Sequence, residues 1–213
     1  VTLGPAMRVD LILDMMEPAG SRTAVIDRFY QGRDYRLVDF AYAEEPLRDA
    51  PPDGPLALPA NPLAEPDLNT AERHEVTFTG GAMGGMRGAR VNGEWTDMRT
   101  MVRAGLAWAI NGIAAHGHVM EPMVTLKRGT THILAMRNDS AFHHPIHLHG
   151  HHFRLLSRNG APVRYTPWHD TVLMAPEDRV EIAFVADNPG DWMFHCHIPE
   201  HMEAGMMGVV RVT

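Results

Sequence analysis

The stretch of sequence that decides the fold spans residues 195–206 and reads HCHIPEHMEAGM. A second stretch, residues 144–149, reads HPIHLH. Together they contain six histidines, two methionines and Cys196, the only cysteine among the 213 residues. Imidazole, thiolate and thioether groups are the ligands of soft and borderline transition metals. The two stretches therefore indicate a metal centre.

The types of ligand indicate copper. A trigonal set of one thiolate and two imidazoles with a weak axial thioether is typical of an electron-transferring blue copper. Structural zinc instead prefers four strong ligands and usually more than one cysteine. Cys196, His201, Met206 and one upstream histidine would supply the blue copper set.

Strand alternation sorts the histidines into two groups. Successive side chains of a strand point to opposite faces, so Cys196 faces away from its two histidine neighbours, and His144 faces away from the other two histidines of residues 144–149. We therefore expect two kinds of copper site. The first is a blue copper site formed by His144, Cys196, His201 and Met206. The second is an all-imidazole set, suited to copper that binds and reduces oxygen, formed by His147, His149, His195 and His197.

The motif H-P-x-H-L-H-G followed by H-C-H-x-x-x-H-x-x-x-x-M resembles the C-terminal cupredoxin domain of the multicopper oxidases, the family of laccases and copper-resistance oxidases. The resemblance is strong over residues 100–213 and weak over residues 1–50. It implies an all-β, cupredoxin-like Greek-key β-sandwich. It also implies a type 1 copper held by His144, Cys196, His201 and Met206, a type 2 copper held by His147, and type 3 copper held by His149, His195 and His197.

By this resemblance the protein is expected to be an oxidoreductase. It would take electrons from a reducing substrate at the type 1 copper and pass them, through Cys196 to His195 and His197, to a trinuclear copper cluster that reduces dioxygen to water. An N-terminal cupredoxin domain is the expected partner, because in the family two H-x-H motifs there supply the other four cluster histidines. A copper-binding electron-transfer module without oxidase activity stays open as an alternative, as does a cuprous oxidase in copper resistance.

Composition excludes several other functions. The net charge of −7, with 19 basic residues scattered among 26 acidic ones, disfavours nucleic-acid binding, which needs a clustered basic face. The sequence contains no run of about 18 apolar residues, the length that a membrane-spanning helix needs. There is no signal peptide, but the chain begins with Val1 and not with Met, so we expect any leader to have been lost. A periplasmic or secreted location is implied by the resemblance alone.

The chain is predicted to have three parts. Residues 1–50 resemble the closing strands of a preceding, middle cupredoxin domain, with strands at 7–14 and 35–40. Residues 51–70 contain six prolines and are predicted to form an extended connector. Residues 71–213 are predicted to be the C-terminal copper-binding cupredoxin domain, with strands at 75–79, 108–113, 119–126, 131–138, 146–156, 171–174, 179–185, 192–197 and 208–212.

The reducing substrate is left between two classes. We favour phenols or similar aromatic reductants over Cu(I), because residues 140–143 would offer a partly apolar rim before the first type 1 histidine. Soft thioethers could instead collect Cu(I), although core filling is the favoured role for Met83, Met86, Met98, Met101, Met120 and Met123.

Other polar side chains carry weaker signals. Residues 116–118, which read HGH, are predicted to be a solvated loop in preference to a peripheral copper site. Asp170 is predicted to anchor its loop as a hydrogen-bond acceptor, in preference to contacting substrate. Glu200 and Glu203 are predicted to be solvated carboxylates in preference to proton carriers.

Overall fold

The computed structural model describes residues 1–46, 48, 50, 53, 54, 57–117 and 121–213. The chain divides into two compact units. The smaller unit comprises Val1–Thr2 and Val9–Asn61, and the larger unit comprises Leu3–Arg8 and Pro62–Thr213.

The smaller unit has one antiparallel hairpin, formed by β1 (Arg22–Asp27) and β2 (Tyr35–Ala41). The strand predicted at 35–40 is confirmed. The strand predicted at 7–14 is wrong, because these residues have no regular secondary structure. An apolar run supplies strand propensity, but a strand also needs a neighbour for its backbone hydrogen bonds, and no described strand pairs with this segment.

The larger unit contains the remaining elements. In chain order they are β3 (Glu72–Gly80), β4 (Gly88–Val91), β5 (Glu94–Asp97), α1 (Met98–Arg103), β6 (Trp108–Ile110), β7 (Val124–Leu126), β8 (Thr131–Asp139), β9 (His144–Leu148), β10 (Phe153–Arg158), β11 (Ala161–Pro162), β12 (Trp168–His169), β13 (Thr171–Met174), β14 (Arg179–Val185), β15 (Gly190–Cys196), α2 (Pro199–Glu203) and β16 (Met207–Val212).

The larger unit contains two large sheets and a two-stranded sheet of β4 and β5. One has the strand order β11-β10-β14-β8-β3-β6, with β12 paired to β10, and the other has the order β13-β9-β15-β16-β7. The pairs β3/β8 and β7/β16 are parallel, while the other neighbours in the two sheets are antiparallel. The fold is therefore all-β and cupredoxin-like, as predicted.

The core lies between the two large sheets. Phe78 and Phe184 from one sheet and Phe194 from the other are fully buried, and the rings of Phe78 and Phe194 lie 6.0 Å apart. Burying each such side chain contributes roughly 1.5–3 kcal/mol, so this core holds the sheets together. In the described part of the chain, no helix is long and apolar enough to cross a membrane.

Most predicted strands of the larger unit agree with the structure to within a few residues. The single strand predicted at 146–156 is wrong, because a turn at Gly150, whose φ is +72°, separates β9 from β10. The strand predicted at 108–113 ends at Ile110, where Asn111 and Gly112 turn with positive φ. Of the strand predicted at 119–126, only Val124–Leu126 is observed, and Val119 and Met120 lie outside the described residues.

The predicted connector contains no helix or strand in its described part. Pro51, Pro52 and Pro55 lie outside the described residues. The assignment of residues 1–50 to a preceding domain stays a prediction.

A buried amide fixes the loop between β8 and β9. The Asn138 Nδ2 donates to the carbonyl oxygens of Phe142 at 2.7 Å and Ala175 at 2.8 Å. Its Oδ1 accepts hydrogen bonds from the backbone N–H and the hydroxyl of Ser140. The Asn138 side chain is fully buried, so no solvent could replace these bonds.

We expect Asn138→Ala to lower the free energy of unfolding by about 3 kcal/mol, because it leaves several buried polar groups without partners. Urea denaturation followed by circular dichroism measures this. Asn69→Ala, at an exposed turn where the Asn69 side chain donates to Asp67, is the matched control and should change stability by less than about 0.5 kcal/mol. Equal effects of the two substitutions would contradict the anchoring role of Asn138.

Candidate metal centre

Three predicted ligands from separate elements converge at one end of the sandwich. His144 begins β9, Cys196 ends β15, and His201 lies in α2. The Nδ1 atoms of His144 and His201 lie 3.1 Å apart, and the Cys196 Sγ lies 3.6 Å from the first and 3.7 Å from the second. His144 and Cys196 are fully buried. We call these three residues the thiolate cluster.

The hydrogen bonds around His144 orient the lone pair of its Nδ1 towards the thiolate cluster. The hydroxyl of Ser140 donates to the Oδ1 of Asn138 at 2.8 Å. The same hydroxyl oxygen lies 2.8 Å from the His144 Nε2 and is therefore free to accept the proton of that nitrogen. The tautomer with the proton on Nε2 leaves an unprotonated Nδ1 facing Cys196, as a metal ligand requires.

The spacing of the thiolate cluster fits a metal ion. Bonds of about 2.0 Å to nitrogen and 2.3 Å to sulphur, arranged in a trigonal plane, separate nitrogen from sulphur by about 3.7 Å. The observed sulphur-to-nitrogen distances are 3.6 and 3.7 Å. One thiolate with two imidazoles is the strong part of a blue copper ligand set. The cluster is thus consistent with a copper site.

Met206, the predicted axial ligand, is fully buried beside the cluster. Its backbone N–H donates to the carbonyl of His201 at 3.0 Å, and its carbonyl accepts from the N–H of Cys196 at 3.1 Å. These two hydrogen bonds hold Met206, in the loop after β15, next to the predicted ligands His201 and Cys196.

Burial controls the protonation of the thiolate cluster in the metal-free chain. It raises the pKa of the Cys196 thiol to about 12. Burial, together with the neighbouring His201 ring, lowers the pKa of His144 to about 3. At neutral pH the imidazole is therefore uncharged with its lone pair available, while the thiol must lose its proton when a metal binds.

Trp108 covers the thiolate cluster, a contact that sequence reasoning missed. Its ring lies 4.3 Å from the His201 ring and meets the His144 ring edge-on at 5.0 Å. Trp108 lies in β6, far from both motifs along the chain, so local pattern gave no signal for it. The predicted apolar rim at residues 140–143 is wrong for Ser140, which is buried beneath the cluster, whereas Phe142 is half-buried against Trp108.

The four remaining motif histidines form a second group, which we call the imidazole group. It comprises His147, His149, His195 and His197, and neighbouring rings within it lie 4.6–5.6 Å apart. The Nε2 atoms of His149 and His195 lie 3.0 Å apart. In the strand register His195 pairs with His147 across β15 and β9. This pairing is what places the two motifs against each other.

Neighbouring groups orient two rings of the imidazole group. The Nδ1 of His195 lies 2.8 Å from the Cys196 carbonyl oxygen. The Nδ1 of His147 lies 2.9 Å from both the Asp170 carbonyl oxygen and the Thr171 hydroxyl. Both contacts suit a proton on Nδ1 and leave Nε2 to bind metal.

Asp170 anchors its loop, as predicted. Its carboxylate accepts hydrogen bonds from the Arg8 guanidinium and from the Thr171 hydroxyl. Partial burial opposes ionisation of Asp170, but the bonds from Arg8 and Thr171 outweigh it, so the pKa of this carboxyl lies below its ordinary value. The charged Asp170 therefore braces the residues that contact His147.

The residues that carry weaker sequence signals lie partly in the core and partly at the surface. Met101 is buried in a small core with Ala89 and Leu106, and Met123 packs against the main core, whereas Met83 is exposed. Glu200 and Glu203 are exposed, as predicted. His116 is also exposed, and its predicted loop partner His118 lies outside the described residues.

Comparisons with known proteins point to one family. The family model described as multicopper oxidase matches residues 91–213. Multicopper oxidase MmcO of Mycobacterium tuberculosis is 38% identical over 104 residues, which cover 46% of this chain and 18% of that protein. Laccase-1 of Botryotinia fuckeliana is 31% identical over 169 residues, which cover 72% of this chain and 28% of that protein. The chain thus matches less than a third of the length of these curated relatives.

Solved structures give the same result. A multicopper oxidase from Pseudomonas thermotolerans superposes with a TM-score of 0.68 at 30% identity, covering 92% of this chain and 41% of that one. One from Pseudomonas parafulva superposes with a TM-score of 0.57 at 33% identity, covering 81% of this chain and 37% of that one.

We expect Ser140→Ala to weaken copper binding by about 10- to 100-fold, because the His144 ring loses the acceptor that fixes its tautomer. The absorption of the copper–thiolate bond should persist, since Cys196 is unchanged. Competition with a copper chelator, followed at that absorption, measures the affinity.

Ser157→Ala is the matched control for this experiment. The Ser157 hydroxyl donates to Glu181 at 2.8 Å, away from both histidine groups, so its removal should leave copper affinity unchanged. Wild-type copper affinity in Ser140→Ala would show that the Ser140 hydroxyl is not needed to orient His144.

Proposed function

Because the chain belongs to the multicopper oxidase family, we propose that residues 71–213 form the C-terminal domain of a laccase-like oxidase that passes electrons from a reducing substrate to dioxygen. The observation that carries this proposal is the convergence of the His144 and His201 Nδ1 atoms with the Cys196 Sγ. The family uses copper, and this donor set is consistent with it.

We assign the ligands by the motif order. The type 1 site would use His144, Cys196, His201 and Met206, the type 2 site His147, and the type 3 sites His149, His195 and His197. Copper bound at these positions supplies one-electron redox chemistry at the type 1 site and the reduction of dioxygen to water at the trinuclear cluster.

Residues of the chain itself connect the thiolate cluster with the imidazole group. Cys196 is covalently joined to His195 and His197, so the thiolate cluster and the imidazole group are linked by a few bonds of one strand. The contact between the His195 Nδ1 and the Cys196 carbonyl oxygen, at 2.8 Å, adds a second link across the same residues. Electrons would therefore have a short route through the protein.

The chain's residues also exclude water from the thiolate cluster. Trp108 covers the two imidazoles, and the thiolate and His144 are fully buried. A dry, fixed site limits the reorganisation that accompanies each change of charge. His201 is only half-buried, so electrons would enter at its edge.

The rest of the function depends on partners. An N-terminal cupredoxin domain would supply the other four cluster histidines, and the protein would work in the periplasm or outside the cell. For the reductant, the half-buried ring of Phe142 beside Trp108 supports an aromatic substrate such as a phenol. The burial of Met101 and the packing of Met123 into the core weaken the case for a converging Cu(I) site. A cuprous oxidase of copper resistance stays the alternative.

The ligand assignment predicts an intense blue absorption for the copper-loaded chain, and we expect Cys196→Ser to abolish it. Visible absorption and electron paramagnetic resonance measure this. Met206→Leu serves as the graded control, since loss of the axial thioether should keep the colour but raise the reduction potential. A colourless, copper-replete, oxidised wild-type chain would contradict the type 1 assignment.

We expect the chain alone, with copper and either a phenol or Cu(I) supplied, to show no catalytic oxygen uptake. The imidazole group contributes only half of the cluster ligands, so copper there would be poorly held. An oxygen electrode measures uptake, and the full-length oxidase is the positive control. If the full-length protein exchanged electrons but consumed no oxygen, the electron-transfer module would be the correct alternative.

A further inference from the structure

A second cluster of potential metal ligands lies at the other end of β8 from the thiolate cluster. It comprises Glu72 and His74 of β3 and His132 of β8, and we call it the distal cluster. His132 precedes Asn138, which braces the thiolate cluster, by six residues of one strand. At about 3.3 Å per residue, His132 and Asn138 are about 20 Å apart along this strand.

The parallel pairing of β3 with β8 builds the distal cluster. The register sets Glu72 beside His132. Glu72 and His74 are two residues apart on one strand, so their side chains share a face with each other and with His132. This is the face that buries Val76 and Phe78 further along β3. The cluster therefore lies at the edge of the core and opens to solvent through Glu72.

The potential ligand atoms of the distal cluster converge. The Nε2 of His74 lies 3.1 Å from the Nδ1 of His132. One carboxylate oxygen of Glu72 lies 3.9 Å from the first nitrogen, and the other lies 3.9 Å from the second. His132 is 1% exposed, His74 is 16% exposed and Glu72 is 70% exposed. The mostly buried imidazoles of His74 and His132 thus face the solvent-exposed carboxylate of Glu72.

The hydrogen bonds behind His132 fix its tautomer. The Thr130 hydroxyl donates to the carbonyl oxygen of Lys127 at 2.6 Å, so its oxygen can accept the proton of the His132 Nε2 at 2.8 Å. The Nδ1 of His132 is then unprotonated and points at His74. An imidazole whose outer nitrogen is held by a hydrogen bond while its inner lone pair faces other ligands is the usual arrangement at metal sites.

We propose that Glu72, His74 and His132 form a binding site for a divalent transition metal of the zinc or copper class, separate from the copper sites of the oxidase. Two imidazoles and one carboxylate suit these metals, whereas calcium and magnesium prefer oxygen ligands alone. Solvent reaches the site past Glu72, so water can complete the coordination. The bound ion joins the first residues of β3 to β8 and stabilises their parallel pairing.

Cobalt(II) is the probe for this site, because its visible absorption reports the ligand geometry. The full chain, freed of metal, is titrated with Co²⁺, and equilibrium dialysis with metal analysis gives the stoichiometry. We expect wild type to bind one Co²⁺ more than His74→Gln. This difference counts the distal cluster whether or not the other histidines also bind Co²⁺, so failure of the copper assignment does not affect it.

The choice of variants separates metal binding from folding. His74→Gln keeps an N–H that can donate to the His132 Nδ1, so it preserves the hydrogen bond but removes an imidazole ligand. Glu72→Gln changes an exposed side chain, and it should weaken Co²⁺ binding by at least about tenfold, since even partners behind the ligands contribute that much. Glu75→Gln on the same strand and His116→Ala in an exposed loop are the controls, and both should bind as wild type does.

A second readout uses stability. A ligand that binds only the folded state raises the melting temperature. Zn²⁺ should therefore raise the melting temperature of the metal-free wild type and of Glu75→Gln by more than it raises that of His74→Gln. If wild type and His74→Gln bind the same amount of Co²⁺ and respond equally to Zn²⁺, the proposal is wrong, and the contact between His74 and His132 is a hydrogen bond only.

Discussion

The register between β9 and β15 is the constraint on which the rest of the site depends. It pairs His195 with His147 and Cys196 with Ile146 at the centre of a five-stranded sheet. Because side chains alternate along each strand, this single register sends Cys196 into the core and the histidines beside it to the other face. A slip of one residue would exchange the two faces and separate every ligand from its partners. The neighbouring strands β13 and β16 hold the register from both sides.

At each end of β8, a hydroxyl group fixes the tautomer of a histidine so that its other ring nitrogen can bind a metal. At one end the Ser140 hydroxyl accepts from His144, and at the other the Thr130 hydroxyl accepts from His132. Each hydroxyl gives its own proton to a fixed oxygen, in Asn138 or Lys127, so its acceptor role is determined. The result in each case is a buried ring with a lone pair aimed at further ligands. The residues at the two ends of one strand thus position a ligand of the proposed copper centre and a ligand of the proposed distal site.

Bringing the residues of the thiolate cluster together without a metal costs free energy. Its two imidazoles face each other at 3.1 Å, and burial disfavours the charged form of both His144 and Cys196. The surrounding core, Trp108 and the Asn138 bonds hold these groups together despite that cost. A bound metal then replaces the thiol proton with a strong bond, which accounts for placing such ligands on the rigid ends of β9 and β15.

The sequence by itself determined the ligand types and their division into two groups, because motif spacing and strand alternation are local properties of the chain. It also indicated the all-β fold, since most strands of the larger unit carry their own apolar pattern. It could not determine which segments find partners: residues 7–14 have strand propensity but no neighbour, and Gly150 breaks a segment that reads as one strand. Only the tertiary structure brought Trp108 onto His201 and set Glu72 beside His132. Those contacts join residues far apart in the chain, and they follow from how strands order and register themselves within the sheets, which no local pattern specifies.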